Sequence, residues 1–358
     1  MDTYNELQQK LNTHPAGAPD RPEFLEILRM LFTPEEAELA VQLAFRPKRV
    51  DDIAQKAGLS ADEAASLCEG LADKGLVFCR TRDGDKAYAL QPLVPGIFEM
   101  PFMGRKHIDV DFSRLGELWE QYYDNGQGQE LHSSKTSFLR VLPVRKAIPS
   151  AINVLPFEEV SNYIDKADHI SVADCACRVA EKRCNNPIEV CFAFDDGARF
   201  LVERKLARFV TKEEALKILQ ECEDIGLVHC TSNTSDRLML LCNCCPCCCH
   251  ALGAITRIKD TVSHPVSNFY ASVNVDDCNA CGVCEDRCPA EAIAVDDVAA
   301  INVSLCIGCG LCASACPTDA IALNRRDESI EPPANIRELY LKMAEEKGRV
   351  EAFMGNLA

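Results

Sequence analysis

Two stretches near the C-terminal end, CNACGVCEDRCP (278–289) and CIGCGLCASACP (306–317), repeat one cysteine spacing at an offset of 28 residues. Each reads C-x2-C-x2-C-x3-C-P. Thiols at such short fixed intervals oblige the backbone to wrap a common centre, because no packed core asks for them. A secreted chain spends many cysteines on disulfides and a cytosolic chain spends them on metal; this chain has 22. The opening MDTYNELQQKLNTHPAGAPD has neither a basic n-region nor an apolar h-region, which predicts a cytoplasmic protein. No run approaches the roughly 18 apolar residues of a membrane span. A formal charge of −17 argues against a nucleic-acid footprint and suits docking on a basic protein patch.

The doubled motif resembles the bacterial-type ferredoxins that hold a pair of [4Fe-4S] cubanes. In that family three cysteines wrap one cluster and the fourth, turned away at its proline, completes the neighbour. The resemblance implies a first cubane on Cys278, Cys281, Cys284 and Cys316, and a second on Cys306, Cys309, Cys312 and Cys288. It also implies one-electron transfer and redox partner proteins that donate or accept electrons. Zinc is the competing occupant, and the exchanged fourth ligand argues against it. Ala280-Cys281-Gly282 and Gly308-Cys309-Gly310 are expected to bring backbone N–H groups to the sulfurs. After each proline, AEAIAV and TDAIAL read as a helical turn entering a strand.

A second concentration of thiols lies upstream. DCACRVAEKRCNNPIEVC (174–191) carries Cys175, Cys177, Cys184 and Cys191, and LCNCCPCCCH (241–250) carries Cys242, Cys244, Cys245, Cys247, Cys248 and Cys249. Ten thiols exceed the needs of one cubane. Pro246 predicts a strand ending at LCNCC and a helix beginning in CCCHALGAITRI, so adjacent cysteines should face different ways and serve two centres, or one centre with spare thiolates. One or two further iron-sulfur clusters, a zinc site, and a redox-active dithiol are the candidate occupants. Arg178, Lys182 and Arg183 are placed to offset cluster charge. His250 is a candidate ligand or proton donor whose plain reading is structural. Cys68, Cys79, Cys222 and Cys230 fall on apolar positions and read as core.

Together these motifs resemble a group of anaerobe 4Fe-4S ferredoxin-type proteins over residues 150 to 350, a likeness that implies fold and cofactor but no substrate. The cysteine pairs are also similar to the CCG modules of heterodisulfide reductases. Proline replaces that glycine here, so the activity is not carried over.

The N-terminal part has helical periodicity at FLEILRMLF and EEAELAVQLAF, then two short helices around Gly58-Leu59-Ser60 with a Ser60–Glu63 capping box, then strands around an Asp83-Gly84 turn. That order resembles a winged helix-turn-helix. The second helix, DEAASLCEGLADK, is acidic and would repel phosphate, which leaves docking or scaffolding as its use. TKEEALKILQECEDIGLVHC (211–230) echoes SADEAASLCEGLADKGLVFC (60–79), with Thr211 and Glu214 as a further capping box. Trp119 reads as a core or interface anchor, RVLPVRKAIP (140–149) as an extended arm, and residues 334–354 as one amphipathic helix that packs back on the body, with a partner helix as the alternative.

The expected fold is α+β multidomain: an N-terminal segment (1–23), a winged-helix-like domain (24–100), a helical connector (101–170), a central mixed α/β cysteine-rich domain (171–265), a C-terminal dicluster ferredoxin fold (266–328) and a terminal helix (329–358). The expected function is iron-sulfur electron transfer in anaerobic metabolism, alone, as an oligomer or as a subunit of a larger redox complex. An iron-sulfur oxidoreductase reducing a disulfide, a sulfur compound or another small acceptor is the first alternative, and a redox-sensing transcriptional regulator the second.

Overall fold

The computed structural model describes every residue except Met1, Asp83, Lys106, His107, Asp260 and Ala358. The chain opens with helices at Thr3–Asn12, Pro22–Leu31 and Pro34–Gln42. Proline at a first turn removes only an N–H that has no helical partner, so both proline-led helices start cleanly. A short strand β1 (Lys48–Arg49), helices Val50–Ala57 and Ala61–Asp73, and a hairpin of β2 (Val77–Arg82) and β3 (Asp85–Leu90) follow, the strands ordered β1-β3-β2. The Ser60–Glu63 capping box forms. The turn expected at Asp83-Gly84 involves Asp83, outside the described residues; the flanking strands pair Arg82 with Asp85.

The centre is a six-stranded antiparallel sheet of β4 (Leu139–Val141), β5 (Ile170–Asp174), β6 (Glu189–Phe194), β7 (Arg208–Phe209), β8 (Val228–Ser232) and β9 (Leu240–Cys244), in the order β4-β8-β9-β6-β5-β7. Residues 101–170 are therefore more than a helical connector. They contain the Phe112–Tyr122 helix, and part of the expected arm becomes edge strand β4, paired with β8 and followed by Pro143, which suits a strand end. Trp119 is buried against Phe98, Tyr122 and Phe24, with ring centroids 5.1, 5.9 and 6.2 Å away. The same apolar cluster takes in Ala176, Val179, Phe200 and Leu201, so packing runs without a break from the N-terminal helices into the central region.

The two echoing segments adopt the same local structure. Ala61–Asp73 and Lys212–Asp224 are both 13-residue helices, and each leads into a strand, β2 and β8. Their caps differ. Thr211 accepts from the Glu214 N–H at 3.2 Å, but Glu214 turns its carboxylate to Arg208 at 2.7 Å, so the expected reciprocal box is only half made.

The C-terminal module has β10 (Phe269–Val273) paired with β13 (Ile321–Arg325), and β11 (Ile293–Val295) paired with β12 (Ala299–Ile301). The tail is two helices rather than one, Ile336–Glu346 and Val350–Gly355, separated at Gly348, whose φ of 65° is left-handed. They pack back on the body: the Lys347 ammonium donates to the carbonyls of Pro15 at 2.8 Å and Glu130 at 2.6 Å. Among the described residues no helix is long and apolar enough to cross a membrane.

Candidate metal centres

In the C-terminal module, short helices Val283–Asp286 and Leu311–Ala315 carry the third cysteine of each motif, and the chain turns at Pro289 and Pro317 before β11 and β13. Cys278, Cys281, Cys284 and Cys316 line one small hollow, with Pro317 and Ile321. Cys288, Cys306, Cys309 and Cys312 line another, with Pro289 and Ile293. The two hollows differ in depth. Cys281 is exposed, whereas Cys309 and Cys312 are buried.

Backbone N–H groups reach the sulfurs, as a bound cluster requires of its surroundings. Ala292 donates to Cys288 at 3.2 Å, Ala299 to Cys278 at 3.4 Å and Ala271 to Cys306 at 3.5 Å. These donors sit on or beside strands, not in the Ala280-Cys281-Gly282 and Gly308-Cys309-Gly310 turns where the sequence places them. Gly308 has a different duty. A Cβ there would stand 2.1 Å from the Phe269 carbonyl oxygen, so this turn packs against β10 only as glycine. Eight thiols grouped four and four in two small hollows, with N–H donors aimed at them, fit a pair of iron-sulfur clusters in donor chemistry.

The ten central thiols gather at one end of the six-stranded sheet. Cys175 follows β5 and precedes the helix Ala176–Glu181, which carries Cys177; Cys191 lies on β6; Cys242 and Cys244 lie on β9. Register does the gathering, because Ala173 on β5 faces Cys191 and Phe192 on β6 faces Leu241. Beyond Pro246 the expected helix does not form at once. The chain makes successive turns, with Cys249 N–H on the Cys245 carbonyl at 3.1 Å and Gly253 N–H on Cys249 at 2.8 Å, before a short helical turn at Ala254–Ile258.

These turns divide the thiols. Cys175, Cys177, Cys249, Cys244, Cys242 and Cys191 interact in sequence around a closed ring. The two flanking thiols draw Cys175, Cys249 and Cys242 below the ordinary thiol value, Cys242 to about 6, while Cys177 and Cys191 are pushed up by theirs and by burial, and Cys244 first by Cys230 behind it and then by Cys242 and Cys249. The thiolate is the metal-binding form. All six line a cavity of about 640 Å³ whose other walls include Phe98, Glu99, Met103 and Tyr340.

The other four, Cys184, Cys245, Cys247 and Cys248, form a second group whose sulfurs all lie within 4.8 Å of one another, the one such group of metal-binding side chains among the described residues. Both cysteine motifs are thus split. The first gives three thiols to the ring and one to the compact group; the second gives three to each.

Of the three nearby cations, only Arg178 meets a thiol. It is buried, its Nε lies 3.4 Å from Cys245 Sγ, and its guanidinium also donates to the carbonyls of Pro187 and Asn243. Arg183 pairs instead with Glu120 and Glu181. His250 is structural: its ring stacks between Tyr123 and Phe98, at 4.3 and 4.5 Å, and meets Glu181 at 2.8 Å.

Cys68 and Cys79 lie in the N-terminal core, and Cys222 in a small buried cluster beside the thiols. Cys230 is different. It pairs across the hairpin with Cys242 and its thiol interacts with Cys244, so it backs the ring. The hairpin register, counted outward from its turn, was the signal available for it. Glu99 was also missed. Its carboxyl, partly buried in the cavity wall, is pushed up to about 8 by desolvation, and Oε2 accepts from the Gly96 N–H at 2.7 Å. A lone acid inside the apolar run PLVPGIFEMPFM is the trace it leaves in the sequence.

No curated protein matches the chain. Residues 271–294 and 299–322 match the 4Fe-4S binding domain family, each matched segment enclosing one C-x2-C-x2-C-x3-C-P motif, so the C-terminal module is an iron-sulfur domain of the two-cluster ferredoxin kind.

Proposed function

We propose that this protein passes single electrons between a redox partner and a further iron-sulfur centre at the six-thiol ring, by way of its two ferredoxin clusters. Bound cubanes supply one-electron chemistry without making or breaking substrate bonds. Cys278, Cys281, Cys284 and Cys316 would hold the outer one, where exposed Cys281 opens to a partner. Cys288, Cys306, Cys309 and Cys312 would hold the inner one.

The observation that carries this reading is one apolar cluster that contains Cys309 and Cys312 of the inner hollow, Cys284 of the outer, and Cys230, Cys244 and Cys249 at the ring, joined through Val144, Phe269 and Leu252. Val144 N–H also bonds the Cys309 carbonyl at 2.9 Å. Such packing keeps water out of the path and holds the sites at fixed separation. The N-terminal helices and hairpin serve as a winged-helix-like scaffold rather than a DNA reader. Anaerobic iron and sulfide analysis with paramagnetic resonance tests the proposal: more than eight irons per chain are expected, and a value at eight removes the ring centre.

The cavity favours a second reading, in which the ring is a reductase site. Its apolar walls and about 640 Å³ suit a small molecule. Glu99, near Cys242 and Cys249 and protonated at neutral pH, is a proton source there. An exogenous ligand that perturbs only the additional resonance signal supports this reading; a ring centre indifferent to added thiols, disulfides and cyanide opposes it.

A further inference from the structure

We infer that Cys184, Cys245, Cys247 and Cys248 hold a single zinc ion, separate from every iron-sulfur centre. The spacing of the sulfurs carries the argument. Cys184 Sγ lies 3.8 Å from Cys245 Sγ and 3.8 Å from Cys248 Sγ, and Cys247 Sγ lies 3.8 Å from Cys248 Sγ. Four sulfurs bound tetrahedrally at the zinc–thiolate length of about 2.3 Å stand about 3.8 Å apart along each edge. A cubane cannot use such a set. It gives each thiolate an iron of its own, so its four sulfurs stand apart by the width of the whole cluster, beyond the 4.8 Å that encloses all four here.

The surroundings suit a closed, four-thiolate ion, whose net charge is −2. Buried Arg178 brings a compensating cation to Cys245, and the Asn186 amide donates to Cys184 at 3.4 Å, so two of the four sulfurs already have an outer hydrogen-bond partner. No histidine or carboxylate joins the group. With its ligands all thiolate, the ion has a structural duty. It ties the loop of Cys184 to the segment around Pro246, and that segment separates Cys244 from Cys249, which belong to the ring. The zinc therefore pins the backbone that aims two ring thiols. Arg178, bonded to Cys245 and to the carbonyl before Cys244, is a positioning residue in the same joint.

The inference does not depend on what the ring holds. Metal analysis of the full-length protein purified anaerobically should find one zinc per chain, and X-ray absorption at the zinc edge should show four sulfur neighbours at about 2.3 Å. Cys184→Ser and Cys247→Ser should lose the zinc, while Cys191→Ser keeps it. No zinc, nitrogen or oxygen in its first shell, or a single iron in its place overturns the inference. So does zinc retained in Cys184→Ser but lost in Cys191→Ser. Because the edge measurement needs no variant, a misfolded substitution leaves the test intact. Eight irons with one zinc would end the ring-centre reading and keep this one; more than eight irons without zinc would do the reverse.

Discussion

In the C-terminal module each hollow draws three thiols from one tight run and one from the other, so short-range spacing alone nearly fixes the grouping. At the central site neighbours in sequence part company: Cys244 and Cys249 turn to the ring, while Cys245, Cys247 and Cys248, lying between them, turn to the compact group. There the grouping depends on strand register and on the turns after Pro246. A local motif can state its own ligand set. A site assembled from strands far apart in sequence cannot.

Serine in place of single cysteines is the strongest way to break this contrast. Cys309→Ser should empty the inner hollow, removing about four irons and their sulfides per chain. Iron analysis and the ferredoxin resonance signal would show it. Cys249→Ser should instead spare both ferredoxin signals and diminish only the additional one. If Cys249→Ser also removed ferredoxin iron, the two regions would be one metal assembly and the comparison would fail.

The internal repeat of the ferredoxin module offers a finer test, because Ala280 occupies the position that Gly308 takes 28 residues later. Ala280 has a φ of 54°, so the left-handed turn itself tolerates a side chain. At Gly308 the obstacle is the neighbouring strand β10. Gly308→Ala should cost about 3 kcal/mol through the clash with the Phe269 carbonyl. Gly282→Ala, with nothing within 4 Å of the added carbon, should cost about 1 kcal/mol from its backbone conformation. Thermal unfolding of the two variants in the reconstituted protein would separate them; equal costs would mean that β10 yields easily.

What the sequence made legible follows the same division. The two-cluster motif and the Ser60–Glu63 box rest on contacts a few residues apart, and their spacing is visible in the letters, whereas Cys230, read as core, found its place only through its register with Cys242. The partition of ten thiols was not visible, because it depends on Ala173 facing Cys191 and on β9 lying between β8 and β6. Nor could β4 be read, since LRV has no alternation long enough to mark a strand and becomes one only by pairing with β8. Glu99 needed the cavity around it before its carboxyl had meaning.

The joint between the two regions makes a pH-dependent prediction. Glu158, from the segment before β5, accepts from Arg325 Nη1 at 2.9 Å, from the Leu155 N–H at 2.8 Å and from Asn268 at 3.0 Å. Burial raises its carboxyl, but Arg325 and the two neutral donors outweigh that and hold it below the ordinary carboxylate range. A depressed native value means that the unfolded chain takes up the proton first. The joint is thus fully stabilising above about pH 4.3, the ordinary glutamate value, and its contribution disappears as the pH falls through the lower native value. Glu158→Gln should cost about 2 kcal/mol at neutral pH and flatten the acid limb of stability between about pH 5 and 3. An unchanged acid limb would place the acid-sensitive groups elsewhere.

The smallest effects concern the paired helices. Ser60 and Glu63 each bond the other's backbone N–H, at 3.3 and 2.9 Å, whereas Thr211 receives one bond and Glu214 is engaged by Arg208. Ser60→Ala should therefore cost about 1 kcal/mol, and Thr211→Ala roughly half that, because it removes one cap bond and leaves the Arg208 pair in place. Arg208→Ala supplies the opposing case. It frees the Glu214 carboxylate to return to the Thr211 N–H and complete the box, so its cost should fall below that of Thr211→Ala even though it deletes two ion pairs, to Glu189 and Glu214, all roughly half exposed. Chemical denaturation of the three variants orders these effects. If Arg208→Ala proved the most costly, β7 rather than the cap would be what holds the second helix against the sheet.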